Sequence, residues 1–532
     1  TLSCLSYVSY LLAQFLLSLK KRTKRLAGYR TPRSLNDDHL SPAMKLCATY
    51  TTIIILPYCF NSFTYADIIH VFRTWLGPQT RSEDDPYRFA EARHAKGFLD
   101  NKIQKDLADF LDWTERDYKK GLLPAVLSTA RRLINAENAT LRDELIYFRI
   151  QLGYLPTNFV KWPLVRRIVV ASLALRQDRH GPLTQDLYAE GLLMQLFMQH
   201  QFSARRKGMM EFTHISKSGG TSFCRLAVDN GCQSDTEWNC LVDAFGDDPR
   251  YFDQSYHEIL RRSWNTSCDD IEKPMKPRLP ISCRTRRMWL QRHAQTAYAN
   301  EYTAFGGFTS PVLAHPCRNM LTVLQLRHPY ERIISHIKFA WIIYLLRCGE
   351  RDSRAVYLKN RNRTDVWLAL MPAPLNNYLI RSLLGEVVFN LPRGAISQAH
   401  LDIARGILAK HYDVLLVLED ENLFQASLRY GLGFQRLNPR HDNKAPKSAK
   451  ESLPRDLWNL YDLNRLDQFG VLMARLDAIV YDAASRVAKS GVAVTPTPSP
   501  PPSQQPRCFP WDMDKPHCRD GGFRRCGWIG DR

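Results

Sequence analysis

The sequence predicts an α/β domain with a mainly parallel sheet flanked by helices, preceded by an N-terminal helical extension. Three observations lead there. From residue 209 onward, short apolar runs at Met210–Ile215, Leu321–Leu326 and Asp413–Leu418 alternate with stretches of helical spacing. That order gives parallel strands joined through helices. Before that point, Ile103, Leu107, Phe110 and Leu111, and then Leu141, Leu145, Phe148 and Leu152, recur at the period of an amphipathic helix. Finally, the first apolar run leads into a glycine-bearing loop that opens a helix, Met210 to Asn230. Hydrophobic residues at 45% and charged residues at 24% of 532 exclude a wholly disordered chain, a collagen and a multi-span transporter. Lys and Arg exceed Asp and Glu by 73 to 53, a net +20 that favours anionic partners without choosing among them.

Residues 1–66 read as targeting or membrane segments. Leu2 to Leu19 is apolar and is followed by Lys20, Lys21, Arg22, Lys24 and Arg25; a second apolar run, Leu46 to Phe60, follows Met44-Lys45. Two readings are open. Met44 begins a secretory signal that ends near Thr64-Tyr65-Ala66, or the two segments form a signal anchor. Both place the rest of the chain in the secretory lumen. Of 13 cysteines, ten lie beyond residue 66, an even number that suits disulfides in an oxidising compartment and leaves their connectivity open. No C-x-x-C pair suggests zinc. Asn138, Asn265 and Asn362 sit in glycosylation sequons. Residues 67–208 form the helical extension and carry no recognisable chemistry.

The loop Ser216-Lys217-Ser218-Gly219-Gly220, with Thr221 and Ser222 opening the next helix, joins a strand, a glycine turn and a helix N-terminus. Glycines let backbone N–H groups close on phosphate oxygens, and the helix end adds partial positive charge. The order is not that of a Walker A loop, because Lys217 precedes both glycines. The strand Leu321–Leu326 ends in Arg327, where a magnesium-dependent enzyme would carry an Asp. A site with Lys and Arg but no metal carboxylate suits sulfuryl transfer. Pro329 then stops the strand, and Arg327 and Ser335 can converge on one anion.

The two motifs together resemble those of the Golgi-type carbohydrate sulfotransferases that use 3′-phosphoadenosine 5′-phosphosulfate (PAPS). His214-Ile215-Ser216-Lys217 with Gly219-Gly220-Thr221 matches the family's first motif, with Ser216 in place of Pro. Arg327, Pro329, Arg332 and Ser335 match the second, with His328 in place of the acid. Asn377, Arg381 and Gly385, and the stretch Tyr412 to Leu432 with Glu419, match later segments. The resemblance covers roughly residues 209 to 485. It implies a P-loop-like sulfotransferase domain over 209–490. Ser218, Gly219, Gly220, Thr221 and Ser222 would hold the 5′-phosphosulfate, with Lys217 at the bridging oxygen. Arg327 and Ser335 would hold the 3′-phosphate, and Lys444 would lie in a basic loop facing the nucleotide. It further implies a glycan acceptor, a Golgi membrane location through the N-terminal segment, and neither a metal nor a nucleic-acid partner.

In-line transfer requires a general base. The family histidine position falls on Ala299, so Glu301 is the leading candidate, His293 the next, and His257 and His315 stay open; His214 reads as structural. A magnesium-dependent P-loop kinase and a non-catalytic sulfotransferase-like module that binds glycan or nucleotide are the competing readings. Residues 491–506 form a proline-rich linker, and 507–532 a tail with Cys508, Cys518 and Cys526.

Overall fold

The computed structural model describes residues 99–489 apart from 100, 157–160, 184–186, 237–238, 248–280 (five isolated positions aside), 302–303, 341–362 and 439–464. All of the described residues belong to one compact unit. The targeting segments, His257, Lys444, the sequons at Asn265 and Asn362, the proline-rich linker and the cysteine tail lie outside the described residues. Among the described residues no helix is long and apolar enough to cross a membrane.

Five helices come first: α1 (Asn101–Asp117), α2 (Leu123–Asn135), α3 (Leu141–Gly153), α4 (Trp162–His180) and α5 (Leu187–Lys207). The stripe on α1 buries Leu107, Phe110 and Leu111, and that on α3 buries Leu141, Leu145, Phe148 and Leu152. Proline sits in the first turn of both α2 and α4, where its missing N–H costs no hydrogen bond. The C-terminus of α5 carries Arg205, Arg206 and Lys207, which complement the helix dipole.

The sheet has four parallel strands in the order β2-β1-β3-β4, with β1 Met210–Thr213, β2 Ala297–Asn300, β3 Leu321–Leu326 and β4 Val414–Val417. Three strands fall on the apolar runs of the sequence. The fourth, β2, is Ala-Tyr-Ala-Asn, with no β-branched residue; it is a strand because it pairs with β1 from Met210↔Ala297 to Thr213↔Asn300 and is buried throughout. Between strands run α6 (Gly220–Asp229), α7 (Cys283–Arg292), α8 (329–340), α9 (Thr364–Leu370), α10 (Tyr378–Leu384), the single turn α11 (Glu386–Phe389) and α12 (Gln398–His411). After β4 come α13 (Glu421–Ala426) and the long α14 (Leu466–Lys489).

Alternate strand residues serve two cores, as the two-residue period of a strand requires. Leu324, Leu326, Leu415 and Val417 join the core built by α1–α5, α10–α12 and α14. Met210, Phe212, Leu321, Val323, Val414 and Leu416 join Phe223, Leu226 and Phe434 on the other face. The helices before residue 208 therefore share a core with β3 and β4; the change of pattern at residue 209 is a change of secondary structure, not of core.

Two buried arginines fasten this arrangement. Arg166 donates to Asp477 Oδ1 at 2.8 Å and to the Asp413 carbonyl at 2.8 Å. Arg167 donates to Asp477 Oδ2 at 2.8 Å and to the carbonyls of Leu408, Ala409 and Tyr412, capping the end of α12. Arg166 also meets His200 Nδ1 at 3.0 Å, and His200 Nε2 lies 2.8 Å from the Gly431 carbonyl. The proton therefore sits on Nε2 and the ring is neutral; burial first, then Arg166, lowers its pKa to about 4. Lys207 pairs with Asp413 at 2.5 Å. One carboxylate from α14 thus answers two guanidinium groups from α4.

Candidate functional site

Strand order reverses at β1: the chain goes from β1 to β2 on one side and returns to β3 on the other. Ligands of open parallel sheets bind at the carboxyl ends of the strands at such a reversal. Here those ends carry the Ser216–Gly220 loop and Arg327.

The loop is shaped by its backbone. Lys217 has φ +65° and Gly219 φ +88°, both left-handed, and Ser218 N donates to the Ile215 carbonyl at 3.0 Å. At Gly219 a Cβ would press on the Gln325 amide, which donates to the Ser218 carbonyl from β3. At Gly220 a Cβ would run into the His214 ring. Both glycines are therefore required by close approach, and Gly219 by its conformation as well. No side chain caps the N-terminus of α6, so the first N–H groups of that helix stay available to an anion. Thr221 Oγ1 donates to Asn239 at 2.6 Å, and Ser222 is half-buried on the same turn.

Arg327 Nη1 donates to the Lys217 carbonyl at 2.7 Å, so the cation that ends β3 reaches across to the loop that follows β1. Its nearest carboxylates, Glu331 and Glu419, stand at 4.0 Å. Glu419 holds the turn by accepting from His328 N at 2.8 Å. The Lys217 ammonium rests 3.6 Å from the centroid of Phe339 on α8. Burial lowers its pKa to about 8; Glu301 opposes that shift and Arg327 adds to it.

Glu301 directly follows β2 and comes under the loop. Its Oε1 accepts from Ser216 Oγ, and Oε2 lies 3.6 Å from His214 Nδ1. The residue is 4% exposed. Burial lowers the His214 pKa, against the pull of Glu301. Where the resembled family has Pro, Ser216 gives this chain a hydroxyl that fastens the loop to Glu301.

The structure thus brings Lys217, Ser218, Gly219, Gly220, Thr221, Ser222, Arg327 and Glu301 to one sheet edge. Ser335 is half-buried in the second turn of α8. His293 is not brought there: it is exposed beyond α7, stacked on Trp289, at the amino end of β2 rather than the carboxyl end that carries Glu301. His315 pairs its segment with Phe305 and lies before β3, again on the amino side. Arg332 turns inward, donating to the Pro374 carbonyl at 2.8 Å and meeting His336 Nδ1 at 3.0 Å. Burial, then Arg332 and Lys217, pushes the His336 pKa well down. Arg381 is interior too, holding the carbonyls of Asn376, Val388, Phe389 and Leu391, while Gly385 packs against Gly307.

Sequence reasoning did not find the cleft beside Arg327. It holds about 680 Å³ between β3, β4, α1 and α14, and is lined by Ile103, Leu326, Arg327, Val417, Arg465 and Leu472 among others. Its walls come from segments more than 300 residues apart, a juxtaposition without a local signal. Two disulfides brace the surroundings: Cys224–Cys240 ties α6 to the segment after it, and Cys283–Cys317 ties α7 to the turn before β3. Among the described residues no cluster of His, Cys, Asp and Glu suits a metal ion. Compared with protein-family models, curated proteins and solved structures, the chain matches none.

Proposed function

We propose that the protein is a PAPS-dependent sulfotransferase acting on a glycan hydroxyl. The observation that carries this reading is the bridge between the two strand ends: Arg327 of β3 donates to the carbonyl of Lys217 in the loop after β1, beside an uncapped helix N-terminus. Two cations and a row of backbone donors at one switch point suit a nucleotide with phosphate at both its 5′ and 3′ ends. When bound, the nucleotide supplies the sulfuryl group.

The chain's own residues then have separate tasks. Gly219, Gly220 and Thr221 offer backbone donors, and Ser218 and Ser222 add hydroxyls. Lys217 holds a proton at Nζ for the oxygen that becomes negative as the sulfuryl group leaves. Arg327 and Ser335 bind the 3′-phosphate. Glu301 is the assigned base, being the carboxylate whose charge reaches both Lys217 and His214. A Golgi-lumenal location and an acidic glycan acceptor belong to the same proposal, on the strength of the two disulfides and the +20 charge.

The test is calorimetric binding of 3′-phosphoadenosine 5′-phosphate to the full chain without magnesium, with AMP as control. Tight binding of the bisphosphate and weak binding of AMP are expected. Equal binding of the two, or none in folded protein, overturns the reading. The near-complete burial of Glu301 favours one alternative, a sulfotransferase-like protein that binds nucleotide without transfer. Bisphosphate binding with no sulfate transfer to any glycan, and no change in the E301Q variant, would select it.

A further inference from the structure

At the amino edge of the sheet, away from the loop, two lysines from separate elements gather about one ring, and the charge of an arginine in the turn before β3 acts on both. Lys161, just before α4, holds Nζ 4.4 Å from the ring centroid of Tyr118. Lys410, near the end of α12, holds Nζ 5.8 Å from the same centroid. Arg318 lies in the turn that leads into β3, and its charge acts on Tyr118, Lys161, Lys410 and His411. Among the described residues, none of the three cations makes an ion pair or a side-chain hydrogen bond. The carboxylate whose field reaches Lys410 is Asp117, and it is flanked by Arg116, Lys119 and Lys120. His411 is 5% exposed, and its Nδ1 has no hydrogen-bond partner.

Lys161 and Lys410, both half-buried, share the Tyr118 ring, although like charges repel and burial strengthens that repulsion. Lys410 feels it: burial first, then Arg318 and Lys161, lowers its pKa to about 8. Lys161 is lowered by burial and then by Arg318. A doubly charged anion bound beside them would offset that repulsion with charge-assisted contacts.

We propose that Lys161, Arg318 and Lys410 form a second anion site, one that takes a sulfate or phosphate group. It is separate from the loop: β3, six residues from Leu321 to Leu326, is about 17 Å long and lies between the turn that holds Arg318 and the end that holds Arg327. The proposal does not depend on the function assigned to the loop.

The Lys410 amine reports on the site directly. Competitive acylation of the full chain at pH 8, read by mass spectrometry, compares inorganic sulfate with chloride at matched ionic strength. The K217A background keeps the loop out of the comparison. Sulfate is expected to slow acylation of Lys410 roughly fivefold, the effect of a one-unit rise in its pKa. The exposed side chain of Arg318 makes R318Q a variant that keeps the fold, and it should lose most of that protection; K161Q should do the same. Equal acylation in sulfate and chloride, or full protection in R318Q, overturns the site. Inorganic phosphate and a sulfated oligosaccharide complete the series. Protection by the oligosaccharide at far lower concentration supports an ester carried on a chain as the ligand. Equal potency of the simple ions supports a free ion.

Discussion

In the proposed function the chemistry of the site rests on one amine, that of Lys217. Its folded pKa of about 8 lies below the ordinary lysine value of 10.5 because burial disfavours the charged form. The sign follows: the ammonium is present below pH 8 and is lost as pH rises through it. Affinity for 3′-phosphoadenosine 5′-phosphate should therefore be level from pH 6 to 7.5 and fall above pH 8, as measured by calorimetry. In K217R the guanidinium stays charged, and the affinity should not fall over that range. A decline in K217R like that of the unaltered protein would mean that another group titrates. Beside it, Ser216 and Glu301 show how one substitution from a resembled pattern acquires a partner: the hydroxyl that replaces proline is bonded to the carboxylate that follows β2.

The loop between β1 and α6 is the element on which the site depends. Replacing Gly219 by Ala demands a left-handed alanine and presses a methyl on the Gln325 amide. The backbone term alone is about 1–2 kcal/mol, and it should lower the urea midpoint of unfolding. Loss of nucleotide affinity should be larger than that destabilisation, because the same backbone presents the donors; unaltered affinity in G219A would show that the loop does not hold the ligand. The strand–turn–helix form of this element was legible in the sequence, since two glycines after an apolar run mark a turn. So were β3 and β4, whose apolar runs are buried on both faces. β2 was not legible: Ala297, Ala299 and Asn300 have little strand preference, Tyr298 alone does not mark a strand, and pairing with β1 makes them one. Nor was the inward turn of Arg332, since spacing on a helix does not tell which face meets the interior. Glu301 was reached through the resembled family pattern rather than through the strand it follows, and His293 falls at the amino end of that strand, which was not seen in the sequence.

At the scale of the molecule, Asp477 joins what the sequence divides. Its two oxygens serve Arg166 and Arg167, which together also hold the end of α12 and the start of β4. The Asp413 and Asp477 carboxylates are both held below the usual range, against burial, by these cations and Lys207. D477N leaves two buried guanidinium groups without their counter-charge. A loss of about 3–5 kcal/mol is expected from guanidinium denaturation. Helices α1–α5 and the sheet share one core, so helical circular dichroism and near-ultraviolet signals should shift together in a single transition. Separate transitions for the helices and the sheet would show that the shared core does not couple them.

The same contact sets a schedule. Arg166 and Asp477 are 311 residues apart in the chain, and a ribosome adding 5–20 residues per second takes about 15–60 s to cover that distance. For that interval α4 exists without its anion. Two guanidinium groups destined for the interior must stay in water, and the apolar surface around them stays open. The sheet waits as well, since β4 is made more than 200 residues after β1. The growing chain therefore carries α4 without its partner for that interval, and this fold closes only when α14 arrives.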